Sequence, residues 1–296
     1  MMSLSFQDIY LLGFASDLGG ANTGSAQGPE VMQHSQYLSQ LQEKKLHLHW
    51  QGILKNPVFT AQPKLAVIAE LCQKLAEKVS ALVTEKKFFT VIGGDHTSAI
   101  GTWSGASHAL KNQGTVGLIW IDAHMDSHTP ETSLSGNLHG MPLASLLGYG
   151  SKSFTSVLDH HPKLKPEQIC LIGVRCFEED EAALLKKLNV RVFFMEEIQQ
   201  RGLDAVMQEA LQIVTQHTVA WGLSIDIDGL DPQDAPGTGV PEPNGISAKE
   251  LCASLKILSH HPHLIGLEIA EFNPYFDINQ KTEKLISNLI SSLLLE

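Results

Sequence analysis

Short apolar runs in this chain end, again and again, in dense clusters of acidic residues and histidines. No other feature of the sequence restricts the fold as strongly. Phe88–Ile92 leads into Gly93-Gly94-Asp95-His96, and Val116–Ile121 leads into Asp122-Ala123-His124-Met125-Asp126. Val219–Ile225 leads into Asp226-Ile227-Asp228-Gly229-Leu230-Asp231, and Leu264–Ile269 leads into Ala270-Glu271. Carboxylates at the ends of buried strands are costly unless they are paired or bind metal. A fold that collects several strand ends in one place solves that problem. Open α/β sheets do so, because ligands bind outside the carboxyl ends of their strands.

The rest of the sequence agrees with an α/β class. Ile9–Phe14, Ile169–Val174 and Val190–Phe194 are further strand candidates, and continuous apolarity suits strands covered on both faces. Pro63–Glu85, Glu179–Leu188 and Leu203–Thr218 repeat apolar residues at helical spacing. Strands alternating with helices imply crossover units and a parallel sheet. No repeat, low-complexity run or linker divides residues 1–296, so one domain is expected. With 21 basic against 32 acidic residues the net charge is -11, which disfavours nucleic acid and anionic membrane surfaces as partners. Cys72, Cys170, Cys176 and Cys252 form no CxxC pair and are expected to be reduced. The apolar segment Leu285–Leu294 is too short to span a bilayer, and no signal peptide is read at the N-terminus. A cytoplasmic protein is expected.

Asp122, His124 and Asp126 are spaced by two, as are Asp226 and Asp228. On extended backbone each set would point to one side. Facing each other, and joined by His96, they would supply four carboxylates and two imidazoles. Like charges this close raise one another's pKa values unless cations compensate. Oxygen and imidazole ligands without a thiolate suit manganese better than structural zinc, although the ligands alone leave the metal open.

The motifs GGDH, DAHMD and SIDIDGLDP resemble the metal-binding signatures of the ureohydrolase superfamily, and the resemblance runs from the first strand to Pro274. It implies a three-layer α/β/α fold with a mostly parallel eight-stranded sheet, two Mn2+ ions per chain and a homo-oligomer. By position, His96, Asp122, Asp126 and Asp226 would hold one ion. Asp122, His124, Asp226 and Asp228 would hold the other. Ser135-Gly136-Asn137-Leu138-His139-Gly140 looks like the arginase version of the superfamily. That likeness implies hydrolysis of the L-arginine guanidinium to urea and L-ornithine by attack of a metal-bridging hydroxide. Asp126 would orient the hydroxide, His139 would shuttle the proton, and Glu271 would pair with the guanidinium.

The amino-acid end of the substrate is where the chain departs from the arginase pattern. His128 stands in place of Asn, Cys176-Phe177-Glu178 in place of Asp-Val-Asp, and Val240 in place of Thr. Ser135, Asn137 and His128 are expected at the α-carboxylate and Glu178 at the α-amino group. Agmatine, a guanidino acid or formimidoylglutamate are alternative substrates, and a silent metal-binding member is the alternative of another class.

Overall fold

The computed structural model describes residues 8–44, 46–57, 62–259 and 261–295. Met1–Gln7, part of the stretch read above as carrying no signal peptide, lie outside the described residues. The strands are β1 (Asp8–Ala15), β2 (His47–Lys55), β3 (Phe88–Gly93), β4 (Val116–Ile121), β5 (Ile169–Val174), β6 (Arg191–Phe194), β7 (Ala220–Asp226) and β8 (Leu264–Ala270). The helices are α1 (Gly28–His34), α2 (Gln36–Glu43), α3 (Lys64–Thr84), α4 (Ser98–Leu110), α5 (Pro142–Leu146), α6 (Lys152–Thr155), α7 (Glu179–Leu188), α8 (Met195–Arg201), α9 (Leu203–Thr215), α10 (Ala248–Leu258) and α11 (Lys281–Leu294).

All eight strands join one sheet in the order β2-β1-β3-β8-β7-β4-β5-β6, and every pairing is parallel. Side chains alternate across a strand. Leu118 and Trp120 of β4 enter one core with α3 and α4, while Ile119 and Ile121 enter another with α9, α10 and α11. Both faces are therefore covered, which explains the unbroken apolar runs. The fold is the expected three-layer α/β/α arrangement. Helix α3 shows how the pattern works: Ile68, Leu71, Cys72, Leu75, Ala76 and Val79 form its buried stripe, and Pro63 caps its start.

Strand β2 has no counterpart among the runs read from the sequence. It lies at the sheet edge and alternates half-buried Leu48 and Trp50 with exposed His47, His49 and Gln51. His49 bonds the Asp8 carboxylate at 2.7 Å, so polar groups finish this edge. The four cysteines are unpaired, as expected. No described helix is long and apolar enough to cross a membrane.

Gly222 and Gly266 are paired across β7 and β8 and leave a dent in the sheet. A Cβ on Gly222 would come within 2.2 Å of the Trp103 ring, and one on Gly266 within 2.2 Å of the Phe89 ring. The two rings fill the dent with centroids 5.8 Å apart. Overpacking of a dense core is costly, so Gly222→Ala should destabilise the protein by about 1–3 kcal/mol. Urea denaturation should show a lower midpoint with an unchanged slope. An unchanged midpoint would mean that Trp103 moves aside freely.

Candidate active site

The chain builds β1, β2 and β3 on one side, crosses to lay down β4, β5 and β6 on the other, and closes the gap with β7 and β8. Strand order reverses over this gap, where α/β sheets open a crevice. The central neighbours β3, β8, β7 and β4 bring their carboxyl ends to it. These ends carry His96, Glu271, Asp226 and Asp122 respectively.

Among the described residues three groups of ligand-type atoms form there: a half-buried one of His124, Cys176 and Glu242, and two deeper ones around His96 and His124. His96 Nδ1 lies 3.0 Å from Asp126 Oδ2, 3.0 Å from Asp226 Oδ2 and 3.4 Å from Asp122 Oδ2. His124 Nδ1 lies 3.5 Å from Asp122 Oδ1 and 3.2 Å from Asp228 Oδ2. Within each group the candidate atoms fall within 4.8 Å of one another. Asp122 turns one oxygen to each of the deeper groups. Asp226 belongs to the His96 group only, whereas the resemblance implied that it would serve both.

The expectation of extended backbone through these motifs needs correction. Strand β4 ends at Ile121, and the Asp122 carboxylate accepts the His124 backbone N–H at 2.7 Å. Asp126 sits at φ 48°, a left-handed conformation rare outside glycine. Asp228 lies in a 3-10 turn whose N–H bonds Asp226 Oδ1 at 2.9 Å. Short acidic side chains that bond nearby backbone compete with a strand ladder. The residues therefore converge through turns.

The electrostatics calls for positive charge. His96, Asp122, Asp126, Asp226 and Asp228 are buried. Burial, then repulsion from Asp228 and Asp122, pushes Asp226 well above the carboxylate range, and burial with the Asp122 charge lifts Asp126 to about 7. Burial works against the charged form of His96, but the carboxylates of Asp122, Asp126 and Asp226 gathered around its ring raise it well above its ordinary value. His96 Nδ1 and Asp126 Oδ2 are buried side by side, yet misaligned for hydrogen bonding and without another partner. Orphaned acceptors are expensive, and a hard divalent cation between them would satisfy both. The donor set of carboxylate oxygens and imidazole nitrogens fits such an ion.

Above the two deeper groups opens a cavity of about 310 Å³. His128, Ser135, Asn137, His139, Glu178 and Val240 all line it. Glu271 instead borders a smaller adjoining space of about 40 Å³, together with His139 and Asn137. His139 Nδ1 is 2.9 Å from Glu271 Oε1, and the same oxygen accepts the His96 backbone N–H at 2.9 Å. Glu271 is held at φ 63°, with its own N–H on the Gly94 carbonyl. Two acidic residues in left-handed backbone thus sit at one site, the kind of place where such conformations gather.

Asp95 of the first motif belongs to neither group. It accepts the Gly19 N–H at 2.9 Å, and the Gly19 carbonyl accepts the N–H groups of Leu138 and His139. It thereby fixes the loop that carries His139. Sequence reasoning also missed Glu181, Ser133 and Glu242, which line the cavity. Glu181 and Glu178 form a capping box at the start of α7, a pattern readable from an acceptor three residues ahead of a Glu. Glu178, placed above at the α-amino group, is half exposed and lies 3.4 Å from His128 Nε2, with its backbone N–H on the Glu181 carboxylate. Glu181 is buried and lies 3.8 Å from the same nitrogen. Burial raises the Glu181 pKa.

Residues 7–296 match the Arginase family. The arginase of Bacillus caldovelox is 35% identical over 295 residues, covering 96% of this chain and 97% of its own. The crystal structure of arginase from Bacillus subtilis superposes with a TM-score of 0.90 at 37% identity, over 97% of this chain and 98% of that one. The Entamoeba histolytica arginase, solved in complex with L-ornithine, gives a TM-score of 0.90 at 28% identity over 99% of each chain. With its motifs gathered at the strand ends of this sheet, the chain belongs to the arginase family, a family of ureohydrolase enzymes acting on C–N bonds.

Proposed function

We propose that this protein hydrolyses L-arginine to urea and L-ornithine, with two manganese ions held by the groups of His96 and His124. The observation that carries the reading is the pair of ligand groups sharing Asp122 at the floor of a cavity. His96, Asp122, Asp126 and Asp226 would hold one ion, and Asp122, His124 and Asp228 the other. When bound, such a metal pair lowers the pKa of water so that hydroxide is available as a nucleophile near neutral pH.

The chain's own groups supply the rest. A guanidinium is a poor electrophile because its cation is resonance-stabilised, so it must be held and oriented. Glu271 does this with paired, charge-assisted hydrogen bonds to the planar group. To do so it exchanges its contact with His139 for the substrate. Asp126 accepts a hydrogen bond from the nucleophile and sets its direction toward the guanidinium carbon. Addition of hydroxide gives a tetrahedral carbon. As the bond from that carbon to the side-chain nitrogen breaks, the added hydroxyl would give its proton to Asp126 and become the urea carbonyl, and His139 would deliver the proton that the leaving amine needs. At the outer end, Ser135, Asn137 and His128 meet the α-carboxylate. Glu181, with Glu178 beside it, meets the α-ammonium group.

The test is a screen of the manganese-loaded protein with arginine, agmatine, guanidinobutyrate and formimidoylglutamate, reading urea or formamide. Agmatine lacks the α-carboxylate and would leave the buried His128 without it, at about 1–3 kcal/mol, while exposed Ser135 and half-buried Asn137 can turn to water. Arginine should therefore exceed agmatine in kcat/KM by tens-fold or more, in line with the roughly 10-fold cost of each 1.4 kcal/mol. Preference for the guanidino acid would overturn the arginine assignment and trace to His128 and Cys176-Phe177-Glu178.

A further inference from the structure

We propose that Glu268, acting through Ser224, is a positioning residue that fixes the His96 ring with its Nδ1 lone pair turned into the first ligand group. The proposal rests on the reading of His96 as a metal ligand.

Glu268 is a fully buried acidic residue inside the apolar strand β8. Burying a carboxylate is costly unless its oxygens are satisfied. Here four donor groups converge on it, one of them, the Thr102 hydroxyl, sharing its single proton with the Ser98 carbonyl. Ser98 Oγ and Thr102 Oγ1 of α4 bond Oε1 at 2.7 and 3.1 Å, while Trp103 Nε1 and Ser224 Oγ bond Oε2 at 2.9 Å each. No cation takes part among these partners. Helix α4 supplies three of the donors, and Ser224 stands directly opposite Glu268 in the β7–β8 register.

The direction of the next bond follows from proton counting. A serine hydroxyl has one proton, and Ser224 spends its proton on Glu268. Its oxygen can then only accept from His96 Nε2, 3.1 Å away. His96 Nε2 must carry a hydrogen, which leaves Nδ1 of the neutral ring as the lone-pair nitrogen facing Asp122, Asp126 and Asp226. Trp120 stacks on the ring at 4.3 Å between centroids and removes its remaining freedom to tilt. Metal-ligating histidines commonly have their second nitrogen fixed by a carboxylate or carbonyl, which sets the tautomer and raises ligand basicity. Among the described residues the other imidazole has no buried carboxylate relay, and gathers instead with half-buried Cys176 and Glu242. His124 Nε2 faces Glu242 at 3.8 Å, and both side chains are about a quarter exposed. The relay therefore acts on one ligand group alone.

Manganese titration by calorimetry tests this, using the full chain and the variants Glu268→Gln, Ser224→Ala, Trp103→Phe and Asp126→Ala. Glu268→Gln and Ser224→Ala should each weaken one binding step by about 10–100-fold, the range for partners of metal-bound histidines. The other step should be unchanged, and the weakened step should be the one lost in Asp126→Ala. Trp103→Phe removes a donor from Glu268 and packing from the core but leaves the relay intact. It should lower the thermal midpoint and leave both binding steps as in the wild type. If Trp103→Phe weakens manganese as much as Glu268→Gln, the effect is general packing and the relay is overturned. Unchanged affinity in both Glu268→Gln and Ser224→Ala overturns it as well, while the two-ion reading stands. A wild type that binds no manganese overturns the ligand reading and the relay with it.

Discussion

Asp122→Ala should abolish metal-dependent turnover and lower the rate by more than about 10³-fold, since loss of a ligand shared by both ions exceeds the 10–100-fold cost of losing an outer partner. Asp122 offers Oδ1 to the His124 group and Oδ2 to the His96 group. Among the described residues no other enters both groups. Its removal also strips acceptors from the Trp120 indole and the His124 backbone, so folded protein must first be verified by circular dichroism. Two measurements then apply. Metal analysis should find about two ions per chain in the wild type, as a two-metal reaction requires, and fewer than one in the variant. Thermal unfolding should rise on adding manganese to the wild type, because a ligand at about 100 times its Kd adds roughly 2.7 kcal/mol, and should not respond in the variant. Asp228→Ala should lose one ion and Asp226→Ala should chiefly weaken the His96 group. Two tightly held ions in Asp122→Ala would remove the basis for the binuclear reading.

His139→Asn should reduce kcat by about 10²–10⁴-fold, the usual range for a positioned general acid, while both ions remain bound. The residue lies in the cavity wall, contacts Glu271 and belongs to neither ligand group. A proton donor and a ligand are therefore separable by experiment. Small imidazole-like bases added to the variant should restore part of the rate, since the cavity is open to solvent at His139. Loss of an ion from His139→Asn would assign the residue to metal binding or to structure instead. Gly19 and Asp95 hold the backbone of His139, so damage to that loop should mimic the kinetic defect without touching the metals.

Much of this was legible in the sequence because the relevant forces are local. Continuous apolar runs such as Val116–Ile121 mark strands covered on both faces, and polar clusters directly after them mark strand ends. Edge strand β2 was not legible. One of its faces meets solvent, and His47, His49 and Gln51 break the apolar run that a central strand needs. Glu268 was visible as a lone charge within Leu264–Ile269, yet nothing in the sequence could reveal its donors, which come from α4 and β7, 44 to 170 positions away. Glu181 carried a capping signal and no hint that the same carboxylate faces the cavity.

Residue chemistry and its spacing along single strands thus determined the α/β class, the strand ends that bear the site and the acidic ligands gathered there. Tertiary structure decided how those ligands divide. The turns at Asp126 and Asp228 depart from extended backbone because acidic side chains capture nearby N–H groups, and only the sheet order brings His96 against Asp126 and Asp226. Proximity across strands distant in sequence depends on sheet order, which a hydrophobic pattern within one strand does not encode. That is why the sharing of Asp122, the pairing of His139 with Glu271 and the burial of Glu268 emerge in the folded chain alone.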